Sequence, residues 1–182
     1  LQRRVELTTA GGVRLSLETE RFCAMHESEQ AAVKVEVELL ESAAEVELIP
    51  FLDADVRNQD SNWDDAFWSI DDVYVNRQGW AVSKSTTNKS GFGVAFAMEA
   101  HATVSGTYIH PTDATVRKHR GQVHFKRKLE AGERFTCLKY VGIVSSLNYD
   151  DHELIPRAQH VALLASKTSY LPLRAGHEAA WE

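Results

Sequence analysis

Val33, Val35, Val37 and Leu39 alternate with Lys34, Glu36 and Glu38. Successive side chains of an extended chain point to opposite faces, so this pattern makes a strand with one apolar and one charged face. The same period of two recurs on both sides of it. Val5 and Leu7 alternate with Glu6 and Thr8, and Val13, Leu15 and Leu17 with Arg14, Ser16 and Glu18. Gly11-Gly12 between those two runs predicts a hairpin. Val46 and Leu48 make a further strand, with Pro50 near its end, where a missing N–H does least harm. A chain built this way must stack its apolar faces on one another, which leaves a sandwich of antiparallel sheets as the expected architecture.

The later segments agree. Gly79 to Ser85 and Phe92 to Thr103 read as strands separated by the polar stretch Thr86–Ser90. Phe92, Val94, Phe96 and Met98 alternate there with Gly93, Ala95 and Ala97, and the small residues predict a second sheet packed closely over that face. Val123 to Leu129 and Phe135 to Val144, separated by Ala131-Gly132, are expected to pair with each other. After Asp150-Asp151 the alternation stops. Ala158, Val161, Ala162, Leu164 and Ala165 predict a helix of about three or four turns over Pro156–Ser169, and a second helical pattern begins at Gly176. The expected division is a β-sandwich over 1–150 and a helical tail over 151–182. The fold class is all-β, a two-sheet antiparallel sandwich with a C-terminal helical tail.

At 182 residues the chain can hold one substantial core, and 43% hydrophobic against 25% charged residues is ordinary for a globular domain. A net charge of −6 disfavours nucleic acid, whose phosphates need a basic surface. The basic cluster Arg117, Lys118, His119 and Arg120, followed by Lys126, Arg127 and Lys128, lacks interleaved aromatics and reads as an exposed strand face. Nothing approaches an apolar run of about 20 residues, so no membrane partner is expected. Cys23 and Cys137 sit in apolar strand-like contexts and are expected as two buried free thiols, which suits a reducing, cytoplasmic setting. The eight histidines include no i, i+4 pair, and neither cysteine has a ligand-spaced partner, so no metal and no cofactor is expected. Phosphate-cradling and nucleophile-elbow motifs are absent.

One stretch is different. Phe51 to Trp68 reads FLDADVRNQDSNWDDAFW, with Asp53, Asp55, Asn58, Asp60, Asn62, Asp64 and Asp65 close together. Buried carboxylates each need a partner, so this is a long surface loop, and long ordered loops usually carry function. Three readings fit. It is a solvated turn with its aromatics folded back. It is a calcium loop, with Asp60, Asn62 and Asp64 at positions one, three and five, although Asp65 stands where the sharp turn needs glycine. Or it faces a sugar or another domain, with Trp63, Phe67 and Trp68 for apolar cover and the amides and carboxylates for hydroxyls.

The order Asp53-Ala54-Asp55-Val56-Arg57-Asn58, then Asp60-Ser61-Asn62-Trp63-Asp64-Asp65 and Phe67-Trp68, resembles the N-terminal domain of family 65 glycoside hydrolases and phosphorylases, nearest to the maltose and kojibiose phosphorylase branch. Ala54 stands for that branch's usual glycine and Trp63 for its usual tyrosine. Arg21-Phe22-Cys23-Ala24, Leu129-Glu130-Ala131-Gly132-Glu133, Lys139-Tyr140 and His177 to Trp181 extend the likeness over nearly the whole chain. The resemblance implies a supersandwich of the galactose mutarotase type. It also implies a parent enzyme that cleaves an α-linked glucose disaccharide with inorganic phosphate as co-substrate, with its general acid in a separate (α/α)6 barrel.

On that basis no catalytic residue is expected in residues 1–182. Both ends look cut, with opening strands of the sandwich upstream and the barrel downstream. The implied partners are that barrel, a second copy in a homodimer, and the disaccharide. The residues expected to face substrate or the barrel are Asn58, Asp60, Asn62, Trp63, Asp64, Phe67 and Trp68. The competing expectations are a family 65 hydrolase of the trehalase kind and a free-standing carbohydrate-binding module.

Overall fold

The computed structural model describes residues 1–56 and 66–182. Among them the alternating segments form β1 (Gln2–Thr8), β2 (Arg14–Cys23), β3 (Gln30–Leu39), β4 (Ala44–Leu48), β5 (Phe51–Asp53), β6 (Trp68–Val75), β7 (Trp80–Thr87), β8 (Gly93–Val104), β9 (Thr107–Ile109), β10 (Asp113–Arg117), β11 (Arg120–Leu129) and β12 (Arg134–Ser145). Two helices follow, α1 (Leu154–Thr168) and α2 (Tyr170–Ala179). The large sheet runs β1-β2-β3-β12-β8-β7-β6, with β9 folded back on β8. The small sheet runs β10-β11-β4. In it β4 and β5 lie end to end along one side of β11, joined through Ile49 and Pro50, while β10 takes the other side. Every pairing is antiparallel, as the all-β two-sheet expectation required.

The sandwich interior is made by one parity of each strand. Met98, Ala100 and Ala102 of β8 and Phe135, Cys137 and Val141 of β12 meet Val123, Phe125 and Leu129 of β11. Phe125, Phe135 and Leu129 are fully buried, and each removes enough apolar surface from water to contribute about 2–3 kcal/mol.

The other parity of the large sheet meets the helices. Val82, Ala95, Ala97 and Val144 pack on Leu154, Ala158 and Ala162 of α1. Ala32 and Tyr140 pack on Ala165, Tyr170 and Leu173. The small residues on β8 therefore sit under a helix, not under a second sheet as expected. They let a helix backbone come close. At Gly142 of β12 a Cβ would stand 2.2 Å from the Ala158 carbonyl oxygen, and at Gly93 it would stand 2.9 Å from Leu154 Cδ1.

Three further expectations are corrected. β11 and β12 do not pair: β11 belongs to the small sheet, and β12 lies between β3 and β8 in the large one. Their connection crosses the sandwich, held where Gly132 N–H donates to the Leu39 carbonyl at 2.7 Å. The second helix begins at Tyr170 rather than Gly176, separated from α1 by Ser169 at φ 70°. Pro172 lies in its first turn, where a missing N–H costs nothing. Of the two free cysteines, Cys137 is buried but Cys23 is exposed. The Cys137 thiol is pushed up to about 12 by burial, which keeps it protonated and unreactive.

Candidate functional site

The expected site loop leaves the small sheet at Asp53 and rejoins the protein at the edge of the large sheet. Asn58, Asp60, Asn62, Trp63 and Asp64 lie outside the described residues; Phe67, Trp68 and both stems lie within them. On the departing stem, Arg120 Nε donates to Asp53 Oδ2 at 2.8 Å, and its guanidinium carbon sits 4.7 Å from the centre of the Phe51 ring. The other carboxylate oxygen, Oδ1, accepts from the Asp55 N–H at 3.2 Å. The Ala54 N–H donates to the His119 carbonyl at 3.1 Å. His119 and Lys118, both at positive φ, form the tight turn between β10 and β11. Part of the basic cluster is therefore a hairpin end that anchors the loop, rather than a strand face.

The returning stem is fastened by Asn88. Its side-chain amide donates to the Ala66 carbonyl at 2.6 Å, its backbone N–H donates to the Phe67 carbonyl at 2.9 Å, and its amide oxygen accepts from the Ser69 hydroxyl. Trp68 opens β6 opposite Thr87, and β6 is the terminal strand of the large sheet. The β6–β7 ladder bulges at Asp71, whose carboxylate accepts from the Thr86 hydroxyl at 2.6 Å. Phe67 and Trp68 are 44% and 41% exposed on this anchored stem.

The described residues offer no assembled chemistry beside it. Asp53, on the departing stem, is held by Arg120. No group of three or more His, Cys, Asp or Glu able to hold a metal occurs among the described residues. His101 Nε2 lies 3.0 Å from Ser166 Oγ and 3.4 Å from Glu99 Oε1, but a proton relay needs the two ring nitrogens on different partners. His124 binds Glu47 through Nδ1 at 2.9 Å and Thr115 through Nε2 at 3.0 Å, a closed surface network.

Against this geometry stands one decisive match. The model of the glycosyl hydrolase family 65 N-terminal domain covers residues 1–182. The chain belongs to this family. A maltose phosphorylase from Bacillus subtilis (strain 168) is 22% identical over 167 residues, which is 91% of this chain and 21% of that protein. A solved structure assigned as a kojibiose phosphorylase, from the human microbiome, superposes with a TM-score of 0.82 at 16% identity, over 98% of this chain and 22% of that one. That likeness establishes the fold. The family 65 domain seen here thus spans about one fifth of the length of the relatives it matches.

Inspection of the sequence missed one residue. Lys139 occupies an inward-facing position of β12, between Cys137 and Val141. A charge at a core parity of a strand was the available signal. Burial lowers its pKa to about 8.

Proposed function

We propose that residues 1–182 are a non-catalytic part of an inverting disaccharide phosphorylase. Its reaction is maltose plus phosphate to β-glucose 1-phosphate plus glucose. The observation that carries this reading is the family match over the whole chain, supported by the likeness to a maltose phosphorylase. In an inverting phosphorolysis phosphate itself attacks the anomeric carbon, so one protein acid suffices, and it resides in another domain. The domain described here supports that catalytic barrel and the homodimer. The Asn58–Trp68 loop walls the sugar side of the active-site mouth, with Phe67 and Trp68 as its anchored aromatic end.

The test is an assay of the full-length polypeptide against maltose, trehalose, kojibiose and nigerose, with and without phosphate, following glucose 1-phosphate and glucose separately. Phosphate-dependent glucose 1-phosphate from maltose is expected. Glucose release without phosphate turns the assignment to hydrolysis, and preference for another disaccharide changes the linkage. The 182-residue chain alone is expected to release neither product. Saturable quenching of its tryptophan fluorescence by millimolar maltose would instead make it a carbohydrate-binding module.

A further inference from the structure

On the side of the sandwich far from β1 both sheets finish together among the described residues. The large sheet ends on β6 and the small one on β10, and β10 lies over β6. The two edges differ. β6 is blunted by the bulge between Ile70 and Asp72 and carries Asp71 and Asp72 side by side. β10 is regular, with all five residues paired to β11 from Asp113↔His124 to Arg117↔Arg120. Its outer side meets no strand among the described residues.

The backbone of β10 has a fixed parity at that edge. Lys118 and His119, both at positive φ, form a two-residue turn, which makes Arg117 and Arg120 a hydrogen-bonded pair. Hydrogen-bonded and non-hydrogen-bonded pairs alternate along an antiparallel ladder. Thr115 therefore directs its N–H and C=O to β11, while Ala114 and Val116 turn theirs outward. Side chains alternate as well. Asp113, Thr115 and Arg117 share the outer face, where Thr115 Oγ1 lies 3.0 Å from His124 Nε2. Ala114 and Val116 share the inner face, and Val116 is 46% exposed there.

We propose that β10 pairs antiparallel with β10 of a second copy of this chain across a two-fold axis at Thr115, joining the two small sheets into one. Ala114 and Val116 then exchange backbone hydrogen bonds with Val116 and Ala114 of the second copy, and Val116 gains apolar cover. Asp113 stands opposite Arg117 at both ends of the contact, and Thr115 opposite Thr115. Opposite charges and Thr–Thr pairs are favourable directly across antiparallel strands. Centring the axis on Ala114 or on Val116 would set Asp113 against Thr115 or His119 instead, so the charges select the register. Asp113 accepts from Arg77 through Oδ1 at 3.0 Å, and Oδ2 takes the second guanidinium. A further strand of the same polypeptide fits this edge less well, because β6 beneath β10 already ends the large sheet among the described residues. Of the reading above, only the homodimer is needed here; phosphorolysis is not.

The test is disulfide trapping in the full-length polypeptide carrying Thr115→Cys, with the exposed Cys23 changed to Ser. Across a non-hydrogen-bonded pair the two Cα atoms stand about 4.5 Å apart, within disulfide reach. Mild oxidation should give a peptide linked 115 to 115, which only two chains can form. Gln122→Cys, three strand spacings or about 14 Å from its equivalent, should not link. In the Thr115→Cys background, Asp113→Arg or Arg117→Asp alone should lower the linked fraction about fivefold or more at limiting protein concentration. The two together should restore it, because the swap re-forms both opposite-charge pairs. Sedimentation of the unmodified full-length protein separates two failures. A dimer that does not link at position 115 would overturn the β10 interface and leave the homodimer standing, whereas a monomer would overturn both. Equal linking through Gln122→Cys, or linking indifferent to the charge reversals, would also overturn the interface.

Discussion

The two ends of the large sheet are built from the same alternating strands but live in different surroundings. Around β12, β8 and β7 the sheet is covered on both faces, by the small sheet on one and by α1 on the other. Both parities are then apolar, and the helix side shrinks to Gly142, Ala95 and Ala97. Around β1, β2 and β3 much of the helix-side face carries charges instead. Lys34 lies 3.7 Å from Glu18 and 3.4 Å from Glu36, Arg134 lies 3.0 Å from Glu38, and Arg14 lies 3.9 Å from Glu6. The sandwich face at this end is apolar yet open. The residue type on a strand's second face therefore reports its cover: small residues for a helix, charges for water.

That contrast can be broken by deletion. Phe125→Ala, at the fully covered end, should cost about 3–5 kcal/mol in urea unfolding, from lost transfer energy and the cavity left behind. Leu7→Ala, at the open end and 39% exposed, should cost less than about 1 kcal/mol in the same 182-residue chain. Comparable losses would mean that the open end is as well packed as the covered one.

The helix side gives the next largest effect. Gly142→Val drives a side chain into the Ala158 carbonyl, a backbone atom that yields only if α1 lifts, so a loss of about 1–3 kcal/mol is expected. Far-UV and near-UV circular dichroism should show α1 retained but Tyr140 and Tyr170 in altered surroundings. A variant as stable as the parent would show that α1 is loosely seated.

Much of this was legible beforehand, for a physical reason. Period-two alternation is local, so β2, β3 and β8 could be read from a few residues each. What covers a face is not local. Gly93, Ala95 and Ala97 signal close approach, but a helix and a sheet both approach closely, and only the later residues Leu154, Ala158 and Ala162 decide between them. The same limit applies to β11 and β12. A short turn at Ala131-Gly132 serves a hairpin and a crossing equally well, and the choice depends on β3 and β8 taking both edges of β12. The start of α2 was readable from Pro172 and was missed by following the later Gly176 pattern. At the candidate site, Phe67 and Trp68 lie exposed on the stem that Asn88 fastens, while Asn58, Asp60, Asn62, Trp63 and Asp64 fall outside the described residues.

A smaller effect sharpens the open end. Lys139 has its folded pKa lowered to about 8 by burial, while an unfolded lysine titrates near 10.4. Between those values the unfolded chain binds the extra proton, so the Lys139 contribution to stability should rise with pH through that window and stay at its lower level below about pH 8, while Cys137, held protonated in the fold, contributes the opposite slope. The residue is only half-buried, so solvent screening holds the gain to on the order of 1 kcal/mol. Lys139→Met should abolish that rise in the 182-residue chain. A pH profile unchanged by the substitution would place the amine in water.

The smallest effect in this chain is expected at Trp68, and its smallness is the informative part. The ring is 41% exposed and its strand is held by Asn88 and Thr87 through backbone and amide bonds that a substitution leaves intact. Trp68→Ala should therefore cost the 182-residue chain less than about 1 kcal/mol. In the full-length polypeptide a docked indole face would add about 1–3 kcal/mol by the area removed from water. There the same substitution should lower the melting temperature further, or raise the disaccharide KM with kcat little changed, since a wall of the mouth touches bound sugar rather than the reacting bond. The pair of measurements separates the two environments of one ring. Equal losses in the short and long proteins would make Trp68 a local packing residue. No loss in either, with unaltered kinetics, would leave the stem a solvated rim and remove the Asn58–Trp68 loop from the active-site mouth.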